Sequence, residues 1–512
     1  MTKGWKIAAV VAVCGLAGAA FAAEKAAETV HAKDYGWNAT NATEALQKAI
    51  DSGAATVVLD DMGSPWYIGR INLRSDLTVR LAKGVKVHTY MPELEQNRKR
   101  AMFLLEKGVT NFTLEGAGIK ESLVGSFETK EQRLTCCHPG QELQTGVYIG
   151  SGATNIVIRN LSLAHCGCDG LGVGGWRIPS HNVLIEDVDM WDNHRQACSP
   201  MVADGLTFRR CKFRDTCGTE PAAGADMEPC YDVHPLRGVL FEDCEFGNNN
   251  GGGLITPMSS IFPIDVTIRR CTFHPEKGRS PIDILARGDT YMKRLTPADV
   301  KLVFEDCTVE SYGNDPAINF ATGPIFTCIF RNVTIKEVPG YSVWRPARRC
   351  SPVEFRLDRD YHGAFSPAKS GKVVFENVTA TGYKGRPFIQ FVDTLGKQDV
   401  IGYFSGVVTF NGEKVDTAQF NHKAMDVREP PSRRIPVKSL IPNPQSPIPH
   451  PSNCKLVPWG DWYEHAPCYN YYFHAKAGDK VGFSIVYPKG TDFVDFSQKL
   501  KGVHQFLETP EG

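Results

Sequence analysis

Eight copies of one strand-and-turn pattern, a second set of short alternating strands between them, and 48 Gly with 32 Pro predict an all-β fold for this chain. The fold is a right-handed parallel β-helix, a solenoid with an N-terminal capping helix and a small C-terminal β extension. The repeats read NIVIRNL (155–161), NVLIEDVD (182–189), GLTFRRCK (205–212), GVLFEDCE (238–245), DVTIRRCT (265–272), KLVFEDCT (301–308), TCIFRNVT (327–334) and KVVFENVT (372–379). Aligned on one turn position, they bring Asn160, Asp187, Cys211, Cys244, Cys271, Cys307, Asn332 and Asn377 into a column. A single coil cannot bury its own apolar face, so coils stack about 4.8 Å apart and bury a continuous core. Asn at a turn satisfies backbone groups rung after rung, and Cys fits the same half-buried place as a small apolar residue.

The second strand of each coil alternates as well. Leu171/Val173, Ala197/Ser199, Ala225/Met227, Leu254/Thr256, Ile282/Ile284 and Ile318/Phe320 are expected to point inward. Their neighbours Gly172, Gly174, Cys198, Pro200, Asp226, Glu228, Ile255, Asp283, Leu285 and Asn319 are then expected to face out.

Before these coils, residues 1–22 read as an export signal: Lys3 and Lys6, an apolar run at 7–20, and the small-x-small site Ala20-Phe21-Ala22. The expected location is therefore secreted or periplasmic, and no other segment reads as membrane-spanning. Residues 23–427 form the capped β-helix. Within it, 41–53 (NATEALQKAIDSG) is an amphipathic helix, with Asn41 or Thr43 as N-cap and Gly53 as its stop. Such a helix would cover the open solenoid end, where bare strand edges invite aggregation. Early coils run through TVVLD at 56, LTVRL at 77 and FTLEG at 112. Residues 131–145, with Cys136, Cys137 and His138, are expected as a long loop near the groove. The coil pattern fades after Val392. Residues 428–452 read as a Pro-rich linker or strap, and 453–512 as a small aromatic β unit in which Cys454 and Cys468 form a bridge or stay as thiols.

Charge narrows the partners. With 57 basic and 57 acidic residues the formal charge is zero, which gives no electrostatic footprint for nucleic acid.

The carboxylates Asp226 and Glu228 are the sharpest chemical feature. At i and i+2 on one strand they face the same side, about 6.5–7 Å apart by backbone geometry. Like charges at that distance push one pKa up, so one group is an acid while the other is a base. The spacing suits an inverting glycosidase. Gly224 permits close approach and Pro229 ends the strand. Supporting or substrate-binding groups are expected from neighbouring coils: Asp169, Asp192, His194, Arg195, Gln196, Asp283 and Arg287, with Trp176 and Trp191 for sugar stacking.

Several runs resemble one known superfamily. Tyr35 with the following GWNATNATEALQKAID is similar to the entry of pectin-lyase-like proteins. GCDGLGVG at 167–174 resembles their "GDGI" coil, and NHRQ at 193 and GTEPAAGADMEP at 218 resemble motifs of bacterial right-handed β-helix repeat proteins. The resemblance spans roughly 35–392 and implies the fold and a carbohydrate-active role, with a polysaccharide or oligosaccharide as partner and a monomer or homotrimer as assembly. It does not imply a pectin hydrolase, because the one Asp-Asp pair, Asp60-Asp61, lies far from the central coils and no Gly-His-Gly follows. The expected activity is glycoside hydrolysis without cofactor or metal. The alternatives are a lyase, with Arg195 and His194 or His234 acting and Ca²⁺ held by the acidic cluster, an epimerase or transferase, and a glycan-binding solenoid without turnover.

Overall fold

The computed structural model describes residues 28–94, 101–137, 144–174, 178–229, 235–256, 264–284, 300–321, 326–342, 349–357, 369–393, 401–421, 455–458 and 469–472. The expected export signal, the strap, most of the C-terminal unit, and Trp176, His234 and Arg287 lie outside the described residues. Nothing below therefore bears on those expectations.

The chain is a right-handed parallel β-helix. Two sheets run the length of the stack. The larger holds 22 strands, and the other holds 11, one from each successive coil. In axial order the smaller sheet runs Ile71–Leu73, Phe103–Leu105, Val147–Ile149, Asp169–Val173, Gln196–Pro200, Ala223–Asp226, Leu254–Ile255, Ile282–Ile284, Ile318–Ala321, Val353–Leu357 and Ile389–Asp393. The coil continues past the expected fading point, since Ile401–Phe410 still pairs in parallel with Lys369–Thr381 before an antiparallel hairpin to Glu413–Asp416.

The helix Thr43–Asp51 buries Ala45, Leu46, Ala49 and Ile50 on the N-terminal end of the core. The N-cap position is held by Ala42 rather than Asn41 or Thr43; Asn41 Oδ1 accepts from the Thr43 N–H at 3.0 Å, and Gly53 follows the helix in the left-handed region at φ 88°. Inside the coils, aromatic rings stack rung on rung: Phe213 on Phe246 at 4.6 Å between centroids, and Phe246 on Phe273 at 4.6 Å.

The turn column is corrected by one residue. The left-handed turn residues are Asn160, Asp187, Arg210, Asp243, Arg270, Asp306, Asn332 and Asn377, with φ between 51° and 57°. Each cysteine is the next residue along and points into the core. Strand pairing aligns Leu161 with Val188, and the column continues through buried Cys211, Cys244, Cys271 and Cys307 to Val333 and Val378. The packing role expected of these thiols therefore stands, while the polar ladder belongs to their predecessors. Asp187 accepts from Arg210 at 2.8 Å, Asp243 from Arg270 at 2.7 Å, and Asn332 Oδ1 from Asn377 at 2.9 Å. A second amide ladder runs Asn111–Asn155–Asn182 at 3.0 and 2.7 Å.

A further column alternates basic and acidic side chains at each rung from Arg80 through Glu115, Arg159, Glu186, Arg209 and onward to Glu376. Its contacts include Arg159–Glu115 at 2.7 Å and Arg331–Glu376 at 2.7 Å. Opposite charges meet only in the native rung pairing, so the column opposes a one-coil slip.

Candidate active site

The site lies on the outward side of the 11-stranded sheet. Tyr148 pairs with Gly172, Gly172 with Ser199, Asp226 with Ile255, Ile255 with Asp283, Asp283 with Asn319, and Asn319 with Glu354. Asp226 and Asp283 thus share one outward column two rungs apart, as expected. The strand Gln196–Pro200 departs from expectation. Leu171 pairs with Cys198, and Cys198 with Ala225, so Cys198 points into the core and Ser199 faces out beside Asp226. The alternation of Ala-Cys-Ser is ambiguous because all three side chains are small, and the register slipped by one.

Asp226 ends its strand and is buried at 1% exposure, whereas a quarter of the Glu228 side chain is exposed. Gly224 permits this packing, since a Cβ there would stand 2.5 Å from the Gly253 carbonyl oxygen. The strand stops at Asp226, three residues before Pro229. Two residues beyond it, the Glu228 carboxyl adds its charge beside Asp226. Burial, then the Glu228 charge, push the Asp226 pKa well above the usual carboxylate range, against the Arg195 cation. No donor among the described residues reaches Asp226 Oδ1, which leaves that oxygen as the place for a proton. Asp226 and Glu228 form a carboxyl dyad in which the raised pKa keeps a proton on Asp226.

Arg195 organises the other side. Its Nε and Nη2 donate to the Asp169 carboxylate at 2.9 and 3.0 Å, and Nη2 lies 3.7 Å from Glu228 Oε2. Burial opposes the Arg195 charge, but Asp169 outweighs it and holds the guanidinium protonated. Gln196 bridges the halves. With its amide turned end for end, Nε2 donates to Asp226 Oδ2 at 3.1 Å, and Oε1 accepts from Arg195 Nη2 at 2.9 Å and shares the Ser199 hydroxyl proton with Asp169. Ser199 Oγ donates to Asp169 at 2.6 Å. Asp169, Arg195, Gln196, Asp226 and Glu228 are thus linked in one cluster, and Ser199 joins them.

Asp192 and His194 do not. They point into a buried network on the helix Lys130–Cys136, which replaces the expected loop. Arg133, fully buried, donates to Asp192 Oδ1 at 3.0 Å, to His194 Nδ1 at 2.9 Å and to the Cys217 carbonyl at 2.8 Å. Asp192 Oδ2 meets His165 at 2.8 Å, and His194 Nε2 meets Thr219 Oγ1 at 2.8 Å. Burial works against the Asp192 charge, but the His165 hydrogen bond and the Arg133 and Lys130 cations hold its pKa below the usual range. The turn Asp192–His194 directs these side chains away from the sheet that carries Asp226, so residues adjacent in sequence serve different clusters. Trp191 is likewise off the site: it packs on His165 at 4.5 Å with Arg214 over its ring at 5.4 Å. Among the described residues no cluster of three or more His, Cys, Asp or Glu has the form of a metal centre. Cys166, Cys198, Cys211, Cys217, Cys244, Cys271, Cys307 and Cys328 are thiols.

No family model and no curated protein matches the chain. Solved structures do. The family 28 exopolygalacturonase of Yersinia enterocolitica is 14% identical, with 76% of this chain and 79% of that one covered at a TM-score of 0.45. The A-module of an Azotobacter vinelandii mannuronan C-5 epimerase is 13% identical, with 74% and 98% covered at 0.45. A surface protein and adhesin of Streptococcus pneumoniae is 11% identical, with 75% and 98% covered at 0.45. The coiled backbone is the fold that the superfamily resemblance implied. A hydrolase, an epimerase and an adhesin stand equally near, so the likeness chooses no reaction.

Proposed function

We propose that the chain is a secreted carbohydrate-active enzyme that hydrolyses glycosidic bonds in a polysaccharide, with the Asp226–Glu228 dyad as its acid. The observation that carries this reading is the carboxyl pair on an outward sheet face, with Asp226 buried and its pKa raised and Glu228 reaching solvent. A carboxyl kept protonated at neutral pH is what a leaving glycosidic oxygen needs.

Glycosidases that divide acid and base between two carboxyls hold them about 5–5.5 or 6.5–9.5 Å apart, with room for nucleophilic attack or a water. Asp226, whose pKa is raised, is the acid, and Glu228, a quarter exposed two residues on, is its partner carboxyl. Secretion rests on the N-terminal 22 residues as read from sequence.

Elimination has weaker support among the described residues. Both His194 nitrogens are engaged and the ring is buried, so it does not reach a substrate. Arg195 is committed to Asp169. Burial and Asp169 together raise the Tyr148 pKa, which makes that phenol a poor base.

The test is incubation with neutral, uronic and sulfated polysaccharides, followed by assays of reducing ends and of ultraviolet absorbance from unsaturated ends. New reducing ends without absorbance are expected. Unsaturated ends would replace hydrolysis by elimination, and the absence of both products would leave a binding solenoid.

A further inference from the structure

Tyr148 stands in the same outward column as Asp226, three rungs towards the N-terminus, and it has been given no role so far. We propose that its ring is a stacking platform for a sugar unit of the bound glycan, an inference that rests on the carbohydrate reading above.

The argument begins with two glycines. Gly172 and Gly174 lie on and just beyond the strand Asp169–Val173, the rung that follows Tyr148. Neither has a positive φ, so no backbone conformation demands glycine there. Glycine inside a strand costs about 0.5–1 kcal/mol relative to Ala, so two in succession need another reason. The reason is space. A Cβ on Gly172 would stand 2.6 Å from Tyr148 Cδ2 and 3.0 Å from Cε2, and one on Gly174 would stand 3.3 Å from Tyr148 Oη. The ring therefore lies along the next strand, its long axis running from Gly172 towards Gly174, rather than standing off the sheet. Met201 closes the far end, with Cε 2.5 Å from the same Gly174 position. Tyr148 is half-buried, between fully buried Val147 and Ile149.

A recumbent, partly exposed aromatic ring, with the Asp169 charge acting on its phenol, has the chemistry of a sugar subsite. The apolar C–H face of a pyranose packs on the ring, while neighbouring polar groups take its hydroxyls. Coils repeat at about 4.8 Å, comparable to one sugar unit, so a glycan laid along the axis would reach Asp226 three units from Tyr148.

The test is affinity electrophoresis of the full chain in gels cast with xylan, mannan, polygalacturonate, alginate or a sulfated galactan, alongside reducing-end kinetics on any glycan that retards it. Stacking worth about 0.5–1.5 kcal/mol predicts that Tyr148→Ala weakens retardation and raises KM by about 2- to 12-fold, with kcat changed far less. Gly172→Ala, which displaces the ring, is expected to do the same, and Tyr148→Phe to fall in between. Asp226→Asn is expected to keep retardation and lose product. If Tyr148→Ala and Gly172→Ala, folded by circular dichroism, are retarded like the parent chain, the platform is refuted. Weakened retardation in a protein that releases no reducing ends would sustain the platform and overturn hydrolysis instead. A parent chain retarded by no glycan would overturn both.

Discussion

Replacing Asp226 by Asn separates the chemistry of the dyad from its effect on folding. The substitution keeps size and shape and removes the titration. Loss of a positioned general acid costs about 10²- to 10⁴-fold in kcat. Stability moves the other way, and the sign follows from the raised pKa. A carboxyl whose folded pKa exceeds its unfolded value contributes stability that is complete below the unfolded pKa, near 3.9. It is lost as pH rises through the folded pKa. Each unit of difference is worth about 1.4 kcal/mol. Glu276, also buried and pushed upward, is present in both proteins and cancels in the comparison. Asp226→Asn should therefore gain stability relative to the parent as pH rises from about 4, then level off above the folded pKa. Urea unfolding across a pH series measures that difference directly. A difference that stays flat with pH would show that Asp226 titrates as an ordinary surface carboxyl, and the argument from its raised pKa would fail.

Three other substitutions test the scaffold. Arg133→Met leaves Asp192 charged and buried without its main partner, and should cost about 3–5 kcal/mol by thermal or urea unfolding. Asn182 holds φ at 50° and donates to Asn155, so Asn182→Ala should cost about 1–3 kcal/mol, with Asn182→Gly recovering the conformational part in the same assay. Cys271→Val places in the thiol column the residue that Val188, Val333 and Val378 already supply, and should cost less than about 1.5 kcal/mol, measured by the urea midpoint.

Much of the fold was legible because a stacked coil repeats its constraints. One misread residue in a repeat is outvoted by its neighbours, which is why the coils aligned correctly although the turn column was displaced by one. Asn160 and Asp187 occupy the left-handed turn position itself, while each Cys follows it, and a polar residue and a thiol were counted as one column. The corrected reading was present in the runs FRRC, FEDC, IRRC and FEDC, whose alternating Arg-Arg and Glu-Asp pairs are the charge ladders. The site was legible in part. Period-2 alternation put Asp226, Glu228 and Asp283 on one face, but it carries no information on depth, so it did not show that Asp226 is buried while Glu228 reaches solvent. Asp192 and His194 are separated from Arg195 by three residues or fewer, yet a turn sends them to Arg133, more than fifty residues upstream. Tyr148 could have been found. An aromatic residue at the outward position between Val147 and Ile149, one rung before two strand glycines, is a pattern of the same kind that singled out Asp226.

The central claim is that buried Asp226, beside Glu228, holds a proton and delivers it to a glycosidic oxygen. Carbon-13 NMR of the Asp226 carboxyl, followed against pH alongside kcat, tests it most directly. The account predicts an Asp226 carboxyl still protonated well above the ordinary carboxylate range, with kcat falling on the alkaline side as that proton is lost. Titration near 3.9 with kcat unchanged through the Asp226 transition would contradict it.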